Sequence, residues 1–453
     1  MLFLGGNTVA TTTIRPKGLL KPRATSRERR AWYLYDFGNS AYAAVVLLAV
    51  YAAYFQGKVV GGAEGSRLWG WAVGIAMLIV AIISPVLGAI ADFSASKKRF
   101  LFAFTAITVV FTGSLFFVQP GNIILGMLLF ILAEVGYRGA QVFYDALLTE
   151  IAAPDEIARV SGIGWAIGSI GGIVCLLIVF PLIMFTEGLF MTRFAMVITA
   201  VFFALFSVPI FRDLKERAEA LPLPPGETYL TVGFRKIAQT LREARQYKAF
   251  IRFVIAFIIY HDGVMMVMNF ASIIGAVLFG LAQQQLVIFV IIVQVTNVLG
   301  AYFFGMLAHR YNIKRALVFS IVMMIGAIVW LLLAQSATMF FVVGAVAGFA
   351  MAGIQSLSRT MVGVLGPEGR SAEFYGFFAV AGRTSSFIGP TAYGIIAYRA
   401  ALWFEAQGFA TLAAEQSGQR VAIVSIGAFL ALGLLILLAV NLKKAQAALE
   451  AEG

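Results

Sequence analysis

Twelve apolar stretches, each long enough to cross a lipid bilayer, constrain this sequence more than any other feature. A hydrocarbon core about 30 Å thick needs roughly 20 apolar residues per helix. The ten-residue alternation that marks a membrane β-barrel is not seen. The sequence therefore predicts an all-α integral membrane protein with twelve transmembrane helices, near residues 32–56, 69–92, 100–118, 122–149, 161–185, 191–211, 250–273, 283–308, 315–334, 338–361, 374–398 and 421–441.

The composition excludes other classes of protein. Hydrophobic residues make up 61% of the chain and charged residues 12%, against about 45–50% and about 25% in soluble domains. A water-soluble fold could not cover its surface with so few polar groups. A single cysteine, Cys175, excludes a disulfide scaffold. The opening Met-Leu-Phe-Leu has no basic segment before it and is too short for a signal peptide.

The distribution of Lys and Arg predicts the orientation. One side of the membrane receives the basic N-terminal tail, the cluster at 97–99 and the central segment 212–252. The positive-inside rule therefore puts both termini in the cytoplasm, and we expect a bacterial inner (plasma) membrane. The net charge of +12 is then a topology signal, and we expect no nucleic-acid partner. The opposite side receives Lys58, Arg67, Arg193, Arg399 and Arg420.

A helix-breaking Leu-Pro-Leu-Pro-Pro-Gly at 221–226 divides the chain midway. Apolar residues at helical spacing follow it, with Arg and Lys on the other faces, as in a helix lying on a membrane surface. We therefore predict a cytoplasmic tail at 1–31, a six-helix bundle at 32–211, a cytoplasmic linker with a basic amphipathic helix at 212–249, a second six-helix bundle at 250–441, and a cytoplasmic tail at 442–453.

The two halves repeat each other. The loop after the second span begins Gly88-x-x-Ala and that after the eighth begins Gly305-x-x-Ala, and both end in a basic cluster. Duplicated six-helix halves are typical of transporters that rock around a central site. At an offset of 214 residues, polar positions of the two halves correspond. Gln141 matches Gln355, and two charged residues match residues of opposite charge: Asp145 with Arg359, and Arg159 with Glu373.

These loops resemble the signature of the major facilitator superfamily, Gly-x-x-x-Asp-Arg-x-Gly-x-Lys-Lys. The first copy keeps Gly88, Asp92, Lys97 and Lys98 but has Phe93 where Arg is usual. The second copy keeps Gly305, Arg310, Lys314 and Arg315 but has His309 in place of Asp. Within the superfamily the chain resembles the vacuole effluxer-like, autophagy-related branch, through the segments at 32–40, 143–150, 160–166 and 372–377.

The resemblance implies the major facilitator fold, with two pseudo-symmetric six-helix bundles. Fungal members of the branch are described as exporters of amino acids from the vacuole. We therefore expect a secondary active transporter that moves a small polar solute, amino acids or related zwitterions, by alternating access, with proton-coupled efflux as one mode. The expected partners are a small-molecule substrate, membrane lipids and protons, and we expect a monomer.

Other functions stay open at this point. A proton-driven exporter of drugs, peptides or lipids fits the same fold, and a non-transporting sensor could be built on it. A membrane-embedded lipid-modifying enzyme is the alternative from a different class. His261 and His309 are the only histidines, and no metal-ligand spacing, phosphate-binding loop or catalytic triad is recognisable. We therefore expect no enzyme activity, no cofactor and no metal.

Charged residues within the spans indicate the transport path, because a charge near the bilayer centre costs several kcal/mol. In the fourth span, Glu134, Arg138, Gln141 and Asp145 share one helical face. They form either a binding surface or a self-satisfied Glu–Arg pair. Arg138-Gly-Ala-Gln141 also resembles the Arg-x-x-Gln element of proton-driven drug antiporters. The six intramembrane candidates are Asp36, Glu134, Arg138, His261, Asp262 and Arg383.

His261 and Asp262 lie near the predicted midplane. A buried carboxyl group beside an imidazole can carry a proton, but such a pair can also lock two helices together. We predict that Asp262 or Glu134 cycles a proton and that Arg138 or Arg383 holds a substrate carboxylate. Glycines at positions 38 and 263 indicate either local unwinding or close helix packing. Further candidates for the pathway are Tyr35, Asn39, Gln141, Asn269, Gln294, Asn297 and Gln355.

A second group of charges gathers at the predicted cytoplasmic face. Ion pairs between helices that form in one state and break in the other would gate that side. The alternative, plain topology determinants, suits the Lys cluster but not the acids. The predicted cytoplasmic gate contains Gly88, Asp92, Lys97, Lys98, Asp145, Arg159, Gly305, His309, Arg310, Arg359 and Glu373.

Overall fold

The computed structural model describes residues 24–152, 156–185, 188–217, 220, 222–223, 226–244, 246–365, 374, 377–378, 380–382 and 386–442. In these ranges the chain consists of helices joined by short loops, and no β-strand occurs. The predicted all-α architecture is therefore confirmed.

The first half of the chain forms six helices. Helix α1 begins after Thr25, whose side chain accepts the N–H of Glu28, while the Glu28 carboxylate accepts the N–H of Thr25. This reciprocal cap satisfies donors that a helix start leaves open. We call the side where α1 begins the inner side and the opposite side the outer side. The helices are α1 Ser26–Val60, α2 Gly62–Phe93, α3 Lys97–Ser114, α4 Ile123–Ile151, α5 Ile157–Met184 and α6 Leu189–Asp213.

The second half follows a short helix in the linker. Glycines with positive φ form turns on the outer side in both halves, at Gly61 (φ 85°) and Gly280 (φ 62°), for example. Only glycine adopts this conformation without strain. The helices are α7 Tyr229–Ala244 in the linker, then α8 Lys248–Phe279, α9 Gln283–Arg310, α10 Ile313–Leu333, α11 Ala337–Leu365, α12 Ile388–Ala406 and α13 Thr411–Leu438.

Eleven helices within the described ranges are long and apolar enough to cross a membrane. The predicted eleventh span, 374–398, is described in part, as helical residues at 374, 377–378 and 380–382 and the beginning of α12. The outside of the bundle carries large apolar side chains, such as Ile124 (83% exposed), Leu205 (63%) and Leu435 (64%). Such a surface is stable in lipid rather than in water.

The two halves meet through a small number of helices. Helix α2 packs on α12, helix α5 packs on α9, and the outer part of α1 packs on α8. Gly38 and Gly263, for which the sequence left unwinding or packing open, lie within regular helices. A Cβ at Gly38 would lie 2.9 Å from the Cβ of Phe206, and one at Gly263 would lie 3.0 Å from Leu430. Both glycines thus allow close helix packing.

Helix α1 departs from regular α-geometry elsewhere, in wider π-helical turns at Ala43–Ala49 and Phe55–Val60. In the first of these segments the carbonyl groups of Leu48 and Ala49 accept hydrogen bonds from Ser272 and Gln283 of the second half. Such π-turns are frequent at functional sites. The irregular part of α1 therefore connects the two halves.

The linker helix α7 lies against α2. Val232 is buried, and a Cβ at Gly233 would lie 2.7 Å from the carbonyl carbon of Pro85. Leu230 and Phe234 are exposed, as is Arg235, which pairs with Glu227. The linker thus contains a helix, which contacts the first half at Val232 and Gly233.

Candidate functional site

The centre of the site is a charged pair on α4. Glu134 is completely buried, and its Oε1 accepts a hydrogen bond from Nε of Arg138 at 2.8 Å. The Arg138 guanidinium lies 5.2 Å from the centre of the Tyr137 ring, close enough for a cation–π contact. The spacing of four residues places Glu134 and Arg138 together on one helical face.

This pair leaves hydrogen-bonding capacity free. Among the described residues, Oε2 of Glu134 and the hydroxyl of Tyr42 are buried without a hydrogen-bond partner. The Tyr42 ring stacks on Tyr137 with ring centres 4.6 Å apart, and its hydroxyl lies close to the Glu134 carboxylate, within reach of a hydrogen bond. Arg138 is bonded through Nε, its two terminal nitrogens make no hydrogen bond to another described residue, and its side chain is 21% exposed.

Charged groups from three other helices lie around this pair. His261 of α8 lies within electrostatic reach of Arg138 and Arg359, and its ring stacks on Phe257 at 4.9 Å. Asp36 of α1 is half-buried and lies within electrostatic reach of Arg359 and of Asp145. Residues from both halves therefore surround one polar region. It is open to solvent, because the Arg138 side chain is 21% exposed and Asp145 and Arg359 are exposed, and we call this region the cavity.

Two amide groups belong to the same region. Asn39 is buried, and its Nδ2 donates to Oδ1 of Asp36 at 3.4 Å. Gln141 lies beside the Tyr137 hydroxyl. Both were predicted as pathway residues, and the structure places them next to charged or aromatic members of the cavity.

Asp262 lies apart from His261, although the two are adjacent in sequence. Successive side chains on an α-helix point about 100° apart. Asp262 is 1% exposed and packs against Gly389 of α12, whose backbone N–H acts electrostatically on its carboxylate. Its Oδ1 has no hydrogen-bond partner within the described part of the chain. The structure therefore shows no His261–Asp262 ion pair there.

Several predicted pathway residues pack within one half instead. The Tyr35 hydroxyl is 2.8 Å from Oγ1 of Thr105 and completely buried. The side chain of Asn269 donates to the carbonyl of Met265 on its own helix, although its backbone carbonyl accepts a hydrogen bond from Trp69 of the first half. Asn297 donates to the carbonyl of Gly348 at 3.1 Å and joins α9 to α11.

Two other predicted pathway residues, Gln355 and Gln294, lie at contacts between helices. Gln355 of α11 contacts the sulfur of Met268 on α8 at 3.9 Å. Gln294 of α9 faces Gly172 of α5, in the contact between the two halves. Arg383, predicted as a pathway residue, and Glu373, predicted in the gate, lie outside the described residues.

The lysines of the first signature loop form hydrogen bonds and ion pairs with the linker and the first half, rather than with the second half. Nζ of Lys97 pairs with Oε1 of Glu150 at 2.6 Å, and their side chains are 9% and 1% exposed. The guanidinium of Arg217 binds both oxygens of Glu28 at 2.8 Å, and its backbone N–H donates to Glu150. Glu216 accepts the backbone N–H groups of Lys97 and Lys98, where α3 begins. We call Glu28, Lys97, Glu150, Glu216 and Arg217 the linker clamp.

Sequence reasoning did not identify the acids of the linker clamp. Glu28 and Glu150 lie near helix ends, where charged residues are normally solvated. The capping pattern Thr25-x-x-Glu28 predicts that Glu28 lies in the first turn of α1, but it does not predict the ion pair of Glu28 with Arg217. Lys98 also belongs here, because its Nζ donates to the carbonyl of Phe211.

We expect Lys97→Met to destabilise the protein. The change leaves the buried Glu150 without its cation, and breaking a buried ion pair in this way costs about 3–5 kcal/mol. The measurement is the thermal unfolding midpoint in detergent, which should fall by several degrees. Lys58→Met, at an exposed lysine, is the matched control and should leave the midpoint unchanged. A Lys97→Met variant as stable as the control would contradict a structural role of the pair.

The other predicted gate residues lie open on the inner side. Exposed side chains there include Arg159, His309, Arg310 and Arg359, together with the acids Asp92 and Asp145, which both have interactions. A Cβ at Gly88 or Gly305 would meet nothing within 4 Å. No ion pair between described residues joins the two halves.

The outer side, in contrast, is closed by hydrogen bonds between the halves. Nε1 of Trp69 donates to the carbonyl of Asn269 at 2.8 Å, and Nε2 of Gln283 donates to the carbonyl of Ala49 at 2.6 Å. The Ser272 hydroxyl donates to the carbonyl of Leu48. These hydrogen bonds hold the two halves together on the outer side.

Glycines bring α2 and α12 into backbone contact on the same side. A Cβ at Gly70 would lie 2.5 Å from the carbonyl oxygen of Pro390, and one at Gly394 would lie 2.6 Å from the carbonyl oxygen of Ser66. Any larger residue would force the helices apart. Sequence reasoning had no means to find this contact, since glycine is common in membrane helices generally.

A cluster of polar side chains forms hydrogen bonds between the two halves near the outer end of this interface. Nε2 of Gln56 donates to Oε1 of Glu415 at 2.8 Å, across the two halves. Nε2 of Gln419 donates to the Ser66 hydroxyl at 2.7 Å, and Oε1 of Gln419 accepts from the Tyr393 hydroxyl. We call these five residues, Gln56, Ser66, Tyr393, Glu415 and Gln419, the outer latch.

The chain resembles known membrane transporters along most of its length. Residues 71–450 match the family model described as "Vacuole effluxer Atg22 like". The chain is 28% identical over 377 residues to the uncharacterized MFS-type transporter YxiO of Bacillus subtilis (strain 168), over 81% of this chain and 87% of that protein. It is 27% identical over 285 residues to autophagy-related protein 22-1 of Aspergillus fumigatus, over 55% of this chain. The match covers 46% of that fungal protein, so the chain spans about half its length.

Solved structures show the same fold. A bacterial homologue of the human lysosomal transporter Spinster, inward-facing and unoccupied, aligns with a TM-score of 0.68 at 13% identity, over 93% of this chain and 97% of that one. A D-xylose–proton symporter aligns with a TM-score of 0.67 at 13% identity, over 91% and 96%. At such identities the likeness concerns the fold, which is the twelve-helix major facilitator fold. The relatives' names favour a transporter over a membrane-embedded enzyme.

Proposed function

The chain belongs to the vacuole effluxer Atg22-like family of major facilitator transporters, and on that premise we propose that it moves amino-acid-like zwitterions by alternating access, coupled to protons. It is a multi-pass membrane protein and a transporter of this superfamily. The observation that carries the proposal is the way in which Glu134 holds Arg138 at a polar cavity shared by both halves.

Arg138 is suited to bind a carboxylate. Its Nε is occupied by Glu134, which fixes the plane of the guanidinium, and its terminal nitrogens remain available. A guanidinium binds a carboxylate through two parallel hydrogen bonds, which give orientation as well as affinity. We infer that the substrate carboxylate pairs with Arg138 and that the Tyr42 hydroxyl is a further contact.

An acidic side chain near Arg138 is suited to bind the ammonium group of a zwitterion. Asp36 lies in the same cavity, and Asn39 orients its carboxylate. An ammonium group binds a carboxylate as a compact point charge. A cavity with an arginine on α4 and an acid on α1 therefore matches a small molecule with both charges better than an apolar drug.

Asp262 is the best candidate for the proton-carrying group. Glu134 is committed to Arg138, whereas Asp262 is buried without a cation and has one oxygen unpaired among the described residues. A buried charge of this kind is costly, and a bound proton removes the cost. Because Asp262 packs on Gly389, its protonation would be felt directly at the junction of α8 with α12.

The inner side carries the charges that a second gate needs. Asp145, Arg159 and Arg359 are exposed while the outer side is closed. We propose that these side chains form ion pairs between the halves when the inner side closes. We also propose that the inner side faces the cytoplasm of a bacterial plasma membrane, which fits the distribution of Lys and Arg.

The test of the substrate class is counterflow in proteoliposomes. Vesicles loaded with an unlabelled amino-acid mixture should accumulate labelled amino acids transiently, without any pH gradient, because exchange through an alternating carrier needs no net driving force. Nucleosides and sugars in parallel vesicles should not exchange. Exchange of sugars or nucleosides but not of amino acids would refute the proposed substrate class.

We expect Asp262→Asn to separate exchange from proton coupling. The amide keeps the size of the side chain but cannot cycle a proton, so counterflow should persist while accumulation driven by a pH gradient is lost. Asp213→Asn, at a carboxylate paired with the largely exposed Arg27, is the control and should keep both activities. Unchanged gradient dependence in Asp262→Asn would refute the assignment of Asp262.

A further inference from the structure

The outer latch contains an acid that the central site does not use. Glu415 lies in the first turns of α13 and is 8% exposed. Its hydrogen-bond partner is Nε2 of Gln56, at the end of α1 in the other half, and the same nitrogen donates to the carbonyl of Gly62. The other members of the latch, Ser66, Tyr393 and Gln419, are uncharged hydroxyl and amide groups.

No cation compensates Glu415 among the described residues. The charged group that acts on it is Glu405 of α12, another acid. At the beginning of α2, Arg67 pairs with Glu64 and lies over the ring of Tyr398. On α13 itself, Arg420 donates to the carbonyl of Leu332 on α10.

The remaining titratable groups near the latch do not change this picture. Lys58 at the outer end of α1 is exposed, and the Tyr393 hydroxyl donates to Gln419 rather than to Glu415. An ionised carboxylate that is buried with one amide partner is costly, whereas a protonated one is not. Closing the latch therefore buries a group whose charge the surroundings do not offset.

We propose that Glu415 is a gating residue that takes up a proton from the outer solution as the outer latch closes and releases it when the latch opens. This inference rests on the alternating-access function proposed above. It concerns a residue in the interface of the two halves that belongs neither to the proposed substrate site at Arg138 nor to the proposed proton carrier Asp262. A low pH on the outer side then favours the closed latch, and a high pH favours its opening.

The experiment measures the opening of the outer side directly, without substrate. Cys175→Ala removes the native thiol, and Ser272→Cys places a reporter where the outer closure buries it. The rate of maleimide labelling is measured from pH 5 to pH 8 in proteoliposomes. The exposed Ser336→Cys in the same background corrects for the reactivity of the thiol itself.

We expect the corrected labelling of Ser272→Cys to rise with pH. Glu415→Gln, which mimics the neutral carboxyl group and can still accept from Gln56, should hold labelling low at every pH. Glu64→Gln is the control at a nearby acid and should keep the pH dependence. A pH-independent reporter, or a Glu415→Gln variant with unchanged pH dependence, would overturn the proposal. Neither outcome depends on the substrate, so a wrong substrate class would leave this result standing.

Discussion

Oxidation of the double variant Gly74→Cys/Thr391→Cys, in a Cys175→Ala background, is expected to stop transport, and a reductant is expected to restore it. A Cβ at Gly74 would lie 3.4 Å from the Cβ of Thr391, across the contact of α2 with α12. Disulfides form at Cβ separations of about 3.5–4.5 Å. The bond would join the two halves covalently on the closed side of the cavity, and counterflow measures the block.

The controls separate the crosslink from the substitutions. The reduced double variant reports any effect of the cysteines themselves, and Thr391→Cys alone should not respond to oxidation. Formation of the bond is verified by loss of free thiols. A fully crosslinked protein that transports at the rate of its reduced form would show that α2 and α12 do not separate during the cycle.

Arg138→Ala is expected to weaken substrate binding by about 100-fold or more, because it removes two hydrogen bonds between charged partners that contribute about 1.5–3 kcal/mol each. The substitution also leaves Glu134 buried without its partner. Arg138→Lys should bind nearly as weakly, since an ammonium cannot occupy Glu134 and a substrate carboxylate in the same planar geometry. The concentration dependence of counterflow measures the loss.

Two comparisons make the Arg138 result specific. Arg193→Ala, at an arginine that lies over Phe116 away from the cavity, should leave affinity unchanged. Amino-acid esters, which lack the carboxylate, should bind Arg138→Ala and the unmodified protein equally weakly. If Arg138→Ala kept its preference for free amino acids over esters, the substrate carboxylate would not bind there.

The helical membrane architecture could be predicted because hydrophobic length acts locally along the chain. The apolar runs that form α2, α3 and α10 could be identified without knowing which helices pack against them. The π-helical turns at Ala43–Ala49 could not be predicted, since no proline or glycine interrupts that segment. Their carbonyl groups bond to Ser272 and Gln283, more than 200 positions away along the chain.

The site could be predicted where residues share a helix, and not where helices meet. The Glu134–Arg138 pair follows from a spacing of four, and the structure contains it. Tyr35 lies on the same helix as Asp36, but whether it faces the cavity depends on α3, which supplies Thr105. Gln56 and Glu415 are 359 positions apart, and no local pattern joins them.

The most direct test of the function is uptake of a labelled amino-acid mixture into proteoliposomes under pH gradients of both polarities. We expect accumulation above equilibrium under one polarity, dependence of that accumulation on Asp262, and no accumulation without a gradient. Uptake that is unaffected by either gradient would contradict proton coupling. A complete absence of amino-acid uptake and exchange, by protein that is folded and reconstituted, would contradict the proposed substrate class itself.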